Sequence, residues 1–219
     1  MKKVQITRFA VAALTLVVIA GCGGATTAAP AAGGPLPPDS AAALEAIYLA
    51  RTDSARTRFT EADIRFMTRM IDHHAQALEM ARLVPDRTDN AQLRILAARI
   101  INAQDDEIAT MQQWLRDRGQ SVPGVDPDGT AHGPDHDMSM PGMVTPEQMR
   151  ALETARGPDF DRLFLTLMIQ HHAGAVDMVH ELFATDGAGQ DEDAFKIASD
   201  AQVDQATEIA RMELLLDGL

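Results

Sequence analysis

Cysteine is almost absent from this chain of 219 residues: Cys22 is the only one, which excludes a fold held together by internal disulfides. Basic residues are scarce as well, with 19 Lys and Arg against 32 Asp and Glu and a formal net charge of -13. That charge argues against nucleic acid and against an anionic lipid surface as partners. The sequence also lacks strand patterns, a nucleophilic triad and a phosphate-binding loop. What remains is an all-helical protein without a recognisable catalytic motif.

The N-terminal residues have the pattern of an export signal. Three basic residues among the first eight precede an apolar run, residues 9–20, that is too short for a membrane-spanning helix of about 20 residues. The run ends in Val-Ile-Ala-Gly-Cys, which resembles the cleavage site of bacterial lipoproteins, where the cysteine becomes lipid-modified. We therefore expect a signal peptide over residues 1–21 and a lipid anchor at Cys22, on the outer side of the cytoplasmic membrane. The alternative is an ordinary secreted protein in which Cys22 is incidental.

Two further regions follow the leader. Residues 22–57 are rich in Gly, Ala and Pro and nearly uncharged at their start, which is typical of a flexible tether. Residues 41–57 within it have the composition of a short additional helix. Residues 58–219 suit one compact domain with a hydrophobic core.

Within the domain, residues 66–81 and 164–179 match each other without a gap. Each segment contains adjacent histidines, His73-His74 and His171-His172, with methionines at the same offsets. Apolar residues recur three and four positions apart, which predicts a helix for each segment. Gln-x-x-Glu-Ile-x-x-Met then occurs once after each of them, so the repeat covers a whole helical hairpin. The equivalent residues are Gln104 and Gln205, Glu107 and Glu208, Ile108 and Ile209, and Met111 and Met212.

Two hairpins, each with an apolar face that it cannot bury alone, predict a four-helix bundle with one long connection. The connection is rich in Pro, Gly and Asp, so residues 120–145 are expected to form a loop, and a short helix should follow from Thr145 and Pro146 to about Ala155. The long helices are expected from Thr60 to Pro85, from about Asn90 to Arg118, from Phe160 to Ala184 and from about Asp191 to Asp217. The first should begin with a capping box between Thr60 and Asp63. The second should be capped by Asp89 and end at Gly119.

The histidines and methionines of each motif are spaced so that they can converge on one point of a helix face. Thioether is a soft ligand that selects Cu(I), whereas imidazole also accepts Cu(II), Zn, Ni and Fe. The combination favours copper over iron or zinc, and it suits a compartment where paired cysteines would oxidise. The predicted metal ligands are His73, His74, Met70, Met80, His171, His172, Met168 and Met178.

Adjacent residues on a helix point about 100° apart, so the two histidines of a pair are not expected to bind the same ion. His73 and His171 should be the central ligands, and His74 and His172 should hydrogen-bond to Glu107 or Glu208. The alternative is that these side chains are ordinary core residues, and His180 is expected to be an ordinary surface residue. The residues expected to support the ligands are Glu107, Glu208, Gln104, Gln205, Met111 and Met212.

The connection carries a separate group of candidate ligands that resembles copper-scavenging segments. Its alternative is an acidic linker with chance methionines. The residues are His132, His136, Met138, Met140 and Met143.

Taken together, the two His-His motifs, the two Gln-x-x-Glu-Ile-x-x-Met motifs and the Met-Pro-Gly-Met segment at 140–143 resemble the bacterial family called domain of unknown function 305, over roughly residues 59–219. The resemblance implies a ferritin-like fold and copper binding through His and Met, because some members are exported copper-binding proteins. It implies the ligands Met70, His73, His74, Met80, Met168, His171, His172 and Met178. Binding of copper for buffering, delivery or tolerance does not require catalysis, and the sequence does not identify a protein partner.

Two other functions compete with copper buffering, delivery or tolerance. A di-iron oxidase or ferroxidase would need Glu-x-x-His on two helices, but Met70 and Met168 stand three residues before His73 and His171. Iron catalysis is therefore less favoured than copper binding. A helical interaction module without metal is the third possibility, and it requires the histidines to be structural.

Overall fold

The computed structural model describes residues 44–49, 58–124 and 136–219, and every regular element in these ranges is helical, as predicted. A short helical stretch covers residues 44–49. The predicted signal peptide, Cys22, most of the tether and His132 lie outside the described residues. No helix in the described ranges combines the length and apolar character of a membrane span. The main helices are α1 (Glu61–Arg87), α2 (Ala91–Asp117), α3 (Pro146–Thr154), α4 (Gly157–Ala184) and α5 (Glu192–Asp217).

The ends of the helices follow the local sequence, with two corrections. Thr60 and Asp63 form the expected capping box at the start of α1. Pro85 does not end α1, because a proline in the last turn removes only one backbone hydrogen bond and the helix continues to Arg87. Asp89 does not cap α2 either. The side chain of Asn90 accepts hydrogen bonds from the first free backbone N–H groups of the helix, and Asp89 instead pairs with Arg94 at 2.9 Å. Asn and Asp are equally good caps, so sequence alone does not choose between neighbours.

The four long helices pack as two hairpins that face each other. Helix α1 packs against α2, and α4 against α5, while α1 with α4 and α2 with α5 join the hairpins. Beyond the end of α4, the backbone N–H of Gly189 donates to Asp63 near the start of α1, so these two helices are antiparallel. Trp114, near the end of α2, donates to Asp191 at the start of α5, so this pair is antiparallel too. The ferritin-like topology stays a prediction.

The core consists of two buried clusters that sit on either side of the histidine pairs along α1 and α4. Met70 of α1 and Met178 of α4 belong to one cluster, and Met80 and Met168 belong to the other. Because the helices are antiparallel, each cluster receives one of the matching methionines from each copy of the motif. The histidines therefore lie between two groups of apolar side chains that contain thioethers.

Residues 136–144, which we call the strap, cross the groove between α1 and α4. On α1, the side chains that hold the strap are three or four residues apart and so share one helix face. The contacts are His136 with Asp72 at 2.6 Å and with Glu79 at 3.2 Å, Asp137 with Arg69 at 3.5 Å, and Gln76 with the carbonyl and N–H of Val144 at 2.9 and 2.7 Å. This part of the predicted loop thus has a fixed path over the bundle.

The other side of the strap lies directly on the backbone of α4. Gly142 has a φ of +75°, which favours glycine, and a Cβ added to Gly174 would lie 2.1 Å from the carbonyl oxygen of Pro141. Gln170 donates to the carbonyls of Gly142 at 3.2 Å and Met143 at 3.3 Å. Only a glycine at position 174 allows this close approach.

Asp191 fastens the end of α2 to the start of α5. Its carboxylate accepts hydrogen bonds from the indole of Trp114 at 2.9 Å and from Arg118 at 2.5 Å, and both partners of the ion pair are buried. It also accepts the N–H of Ala194 and so caps α5. Burial alone would raise the pKa of Asp191, but the hydrogen bonds from Trp114 and Arg118 hold it below its usual value.

Asp191→Ala should therefore reduce the free energy of unfolding by about 3–5 kcal/mol, because it leaves the guanidinium of Arg118 buried without its main partner. The matched control is Asp193→Ala, since Asp193 contacts the same guanidinium at 3.2 Å but is exposed. It should lose less than about 1 kcal/mol. Urea unfolding followed by circular dichroism measures both, and equal losses would show that the buried pair is not the important contact.

The strap should contribute less stability at high pH. Hydrogen bonds to Asp72 and Glu79 raise the pKa of His136 to about 9, despite its partial burial. A folded-state pKa above the ordinary 6.5 means that the contribution is complete below about pH 6.5 and is lost as pH rises through about 9. The stability difference between the wild type and His136→Gln should thus be largest near pH 6 and small near pH 10 in urea titrations. A difference that is constant with pH would contradict this assignment.

Candidate metal centre

His73 and His171 face each other at the centre of the helical domain. Neither side chain has exposed surface, and their ring centroids lie 3.8 Å apart with the ring planes 36° apart. Helix α1 supplies one ring and α4 the other, so the two copies of the motif meet in one place. The two histidines that the sequence predicted to be central are the two in contact.

Both central imidazoles are uncharged near neutral pH. Burial lowers the pKa of His73 to about 3, against the opposing effect of its hydrogen bond to Pro141. Burial also lowers the pKa of His171 far below its ordinary value, and the neighbouring imidazoles of His73, His172 and His74 add to the effect. A neutral imidazole keeps a lone pair, which is the form that binds a metal ion.

The hydrogen bonds of the central pair leave lone pairs without partners. Nε2 of His73 lies 3.0 Å from the carbonyl oxygen of Pro141, and since a carbonyl only accepts, Nε2 must carry the proton. Nδ1 of His73 then holds the lone pair, and it is buried without a hydrogen-bond partner. Neither ring nitrogen of His171 forms a hydrogen bond, although the backbone of His73 lies close enough to oppose the lowering of its pKa. Buried polar atoms without partners are costly, and a metal ion bound to them would remove that cost.

The outer histidines make the same contact in each repeat. Nε2 of His74 lies 2.5 Å from Glu107, and Nε2 of His172 lies 2.7 Å from Glu208, so both hydrogen bonds expected from the sequence are present. Both Nδ1 atoms are buried without a partner. A carboxylate on the far nitrogen fixes the ring and makes the other nitrogen a better ligand. The binding of metal by these four histidines stays a prediction.

The predicted methionine ligands are buried in the two clusters on either side of the histidines. Met70, Met80 and Met168 have no exposed surface, and Met178 is 4% exposed. Most of the supporting residues predicted on α2 and α5 are buried as well. Gln104 is buried, and neither atom of its side-chain amide forms a hydrogen bond. Glu107 and Glu208 reach the surface, with about a fifth of each side chain exposed. The remaining supporting residues, Gln205, Met111 and Met212, are buried.

The candidate ligands of the connection that the structure describes, which lie between residues 136 and 143, do not form one group. His136 is held by Asp72 and Glu79, and Met138 is 42% exposed. Met140 and Met143 are instead buried in the cluster that contains Met70 and Met178. The strap thus places two more thioethers in the core. His180, by contrast, is exposed and hydrogen-bonds to Gln202, as befits a surface residue.

Sequence reasoning missed the residues that hold the strap over the central pair. Pro141 acts through its backbone carbonyl, which leaves no side-chain pattern to find. Gln76 and Gly174 could have been found from the sequence, because they occupy equivalent positions of the two repeats but one is a large polar residue and the other is glycine. That difference marks the positions where the two helices meet different neighbours.

Carboxylate-rich metal sites are not formed by the described residues. Within residues 44–49, 58–124 and 136–219, no three side chains of His, Cys, Asp or Glu are grouped so that they could hold an ion. A di-iron centre of the ferritin-like type needs several carboxylates together with histidine. The same finding covers histidine, so the imidazoles in contact are a pair, His73 and His171, with thioether sulfurs in the adjoining clusters.

The sequence matches the family model described as Domain of unknown function (DUF305) over residues 63–216. A DUF305 fragment from Deinococcus radiodurans is 30% identical, with a TM-score of 0.62, over 74% of this chain and 99% of that chain. A DUF305 protein from Streptomyces coelicolor, whose name includes the word secreted, is 34% identical, with a TM-score of 0.59, over 72% and 93%.

A third solved structure, CopM in its Cu(II)-bound form, is 28% identical to this chain, with a TM-score of 0.56, over 71% of this chain and 96% of that chain. CopM also has Cu(I)-bound and Ag-bound structures. No curated protein matches the sequence. The family model spans nearly the whole helical domain, and the chain therefore belongs to the DUF305 family.

Proposed function

We propose that this protein binds copper as Cu(I) at the pair formed by His73 and His171, for buffering, delivery or tolerance rather than for catalysis. One observation carries the proposal: two fully buried, neutral imidazoles are in ring contact, and their free nitrogens have no hydrogen-bond partner. Core histidines normally have their polar atoms satisfied. An ion would use the lone pairs that the protein leaves unpaired.

The ligand types favour Cu(I) over harder ions. Thioether and imidazole together suit a soft monovalent cation, whereas zinc and iron sites normally include thiolate or carboxylate. The copper- and silver-bound forms of CopM support copper as the metal, and its Cu(I)- and Ag-bound forms agree with a soft monovalent cation. Silver as Ag(I) is also a soft monovalent cation, so it makes a suitable probe for this chain.

The surroundings can compensate the charge of a bound cation. A charge buried in an apolar interior is costly unless an opposite charge lies near. Glu107 and Glu208 touch His74 and His172 and so bring two carboxylates to the edge of the histidine cluster. Burial, and then Glu107 and Glu208, raise the pKa of Asp204, which indicates a negative potential on this side of the domain.

Export is the second part of the proposal. The leader over residues 1–21 and the lipoprotein-like sequence at Cys22 favour a protein anchored by lipid outside the cytoplasmic membrane. The name of the relative from Streptomyces coelicolor agrees with export. In that compartment free cysteines tend to oxidise, so a site made of His and Met retains its ligands.

Replacing both central histidines tests the proposed site. The double variant His73→Ala/His171→Ala should lose more Cu(I) affinity than the roughly 10- to 100-fold that loss of a supporting residue costs. Anaerobic titration against a chromophoric Cu(I) chelator gives the affinity, and circular dichroism gives the helix content. His180→Ala, an exposed histidine of α4, is the matched control and should bind like the wild type. Equal copper uptake by the double variant would refute the site.

The thioethers are tested by Met70→Leu with Met168→Leu, which removes two sulfurs and nearly conserves side-chain volume. Loss of soft ligands should weaken Cu(I) and Ag(I) binding about tenfold or more and leave any Zn(II) binding unchanged. Met67→Leu is the control, because Met67 is as deeply buried on α1 but its counterpart in the second repeat is Leu165. Equal weakening by the control would mean that the sulfurs act only in packing.

A further inference from the structure

The strap makes different contacts with the two copies of the motif. It supplies a hydrogen-bond acceptor to His73, through the carbonyl of Pro141, and none to His171. The equivalent positions of the repeats differ where the strap lies: Gln76 in α1 holds Val144, while its counterpart Gly174 lets the backbone of the strap approach α4. The two central histidines are therefore chemically unequal.

We propose that the turn Met140–Met143 is a positioning element of the metal site: the carbonyl of Pro141 keeps the proton on Nε2 of His73 and so presents the lone pair of Nδ1 to the ion. This inference rests on the proposed copper site. It goes beyond that site by giving a role to a backbone group outside both repeats. His171, which has no such partner, keeps either nitrogen available.

The geometry allows only one tautomer of His73. With the proton on Nδ1, the lone pair of Nε2 would face the lone pairs of the Pro141 carbonyl at 3.0 Å, and the carbonyl would lose its donor. Such a contact is repulsive and leaves a buried acceptor unsatisfied. The hydrogen bond on one ring nitrogen thus decides which nitrogen can bind metal.

Two contacts with α4 hold the carbonyl in place. Gln170 donates to the two carbonyls that follow Pro141, those of Gly142 and Met143. The backbone of the turn rests on Gly174, where even a methyl group would overlap the Pro141 oxygen. The side chains of Met140 and Met143, the first and last residues of the turn, are buried, with 3% and 6% of their surface exposed. These contacts leave the carbonyl little freedom to move away from the ring.

Gly174→Ala tests the inference without changing any proposed ligand, because the new Cβ would lie 2.1 Å from the Pro141 oxygen and must displace the turn. In the metal-free wild type, ¹⁵N NMR of the imidazoles should show His73 with its proton on Nε2 only. In the variant, His73 should show a mixture of tautomers. Its Cu(I) affinity should fall roughly 10- to 100-fold.

A second variant guards against misfolding of the first. Gln170→Ala removes an exposed side chain and its two hydrogen bonds to the turn, so it should shift the tautomer and the affinity in the same direction but less. Ala173→Ser, at an exposed position of the same helix, is the control and should behave like the wild type.

An unchanged His73 tautomer in both Gly174→Ala and Gln170→Ala would overturn the inference. A changed tautomer with unchanged Cu(I) affinity would overturn it as well, because the carbonyl would then have no effect on the ion. Failure of the proposed function is recognised separately, since the wild type itself would take up no copper. That result would remove the positioning role along with the copper site.

Discussion

Four histidines enclosed between helices impose a requirement on everything around them. Each of these side chains is at most 1% exposed, so each ring nitrogen needs a partner inside the protein. Glu107, Glu208 and the carbonyl of Pro141 provide one partner each, on three of the rings. The strap and the outer helices bring those acceptors inward, and the remaining ring nitrogens, which have no hydrogen-bond partner, are the ones proposed to bind the metal.

Formation of this centre depends on both hairpins at once. His73 comes from the first hairpin and His171 from the second, and each methionine cluster draws on both. Neither hairpin has both histidines, so the His73–His171 pair forms only when the hairpins are packed together. Binding of an ion to the folded state would therefore add its free energy to the stability of the whole domain.

The periodicity of apolar residues and the internal duplication allowed most of the helices and their inward faces to be predicted from the sequence. Spacings of three and four residues determine which side chains share a face, and this was enough to separate His73 from His74 and to pair His74 with a glutamate. The strap was not readable, because Pro141 acts through its backbone and the approach at Gly174 depends on the path of a loop. The same limit explains the cap of α2, where Asp89 and Asn90 have equal propensity and only the turn geometry decides.

The close contact at Gly174 also constrains how the repeat can have diverged. A chain built from two copies of the first hairpin would place a glutamine where the strap needs bare backbone, and two copies of the second would lack the amide that clamps Val144. The halves are thus alike in their His and Met positions but are not interchangeable in the residues that contact the strap. In an ancestor with two identical hairpins, the strap could not have occupied its present position.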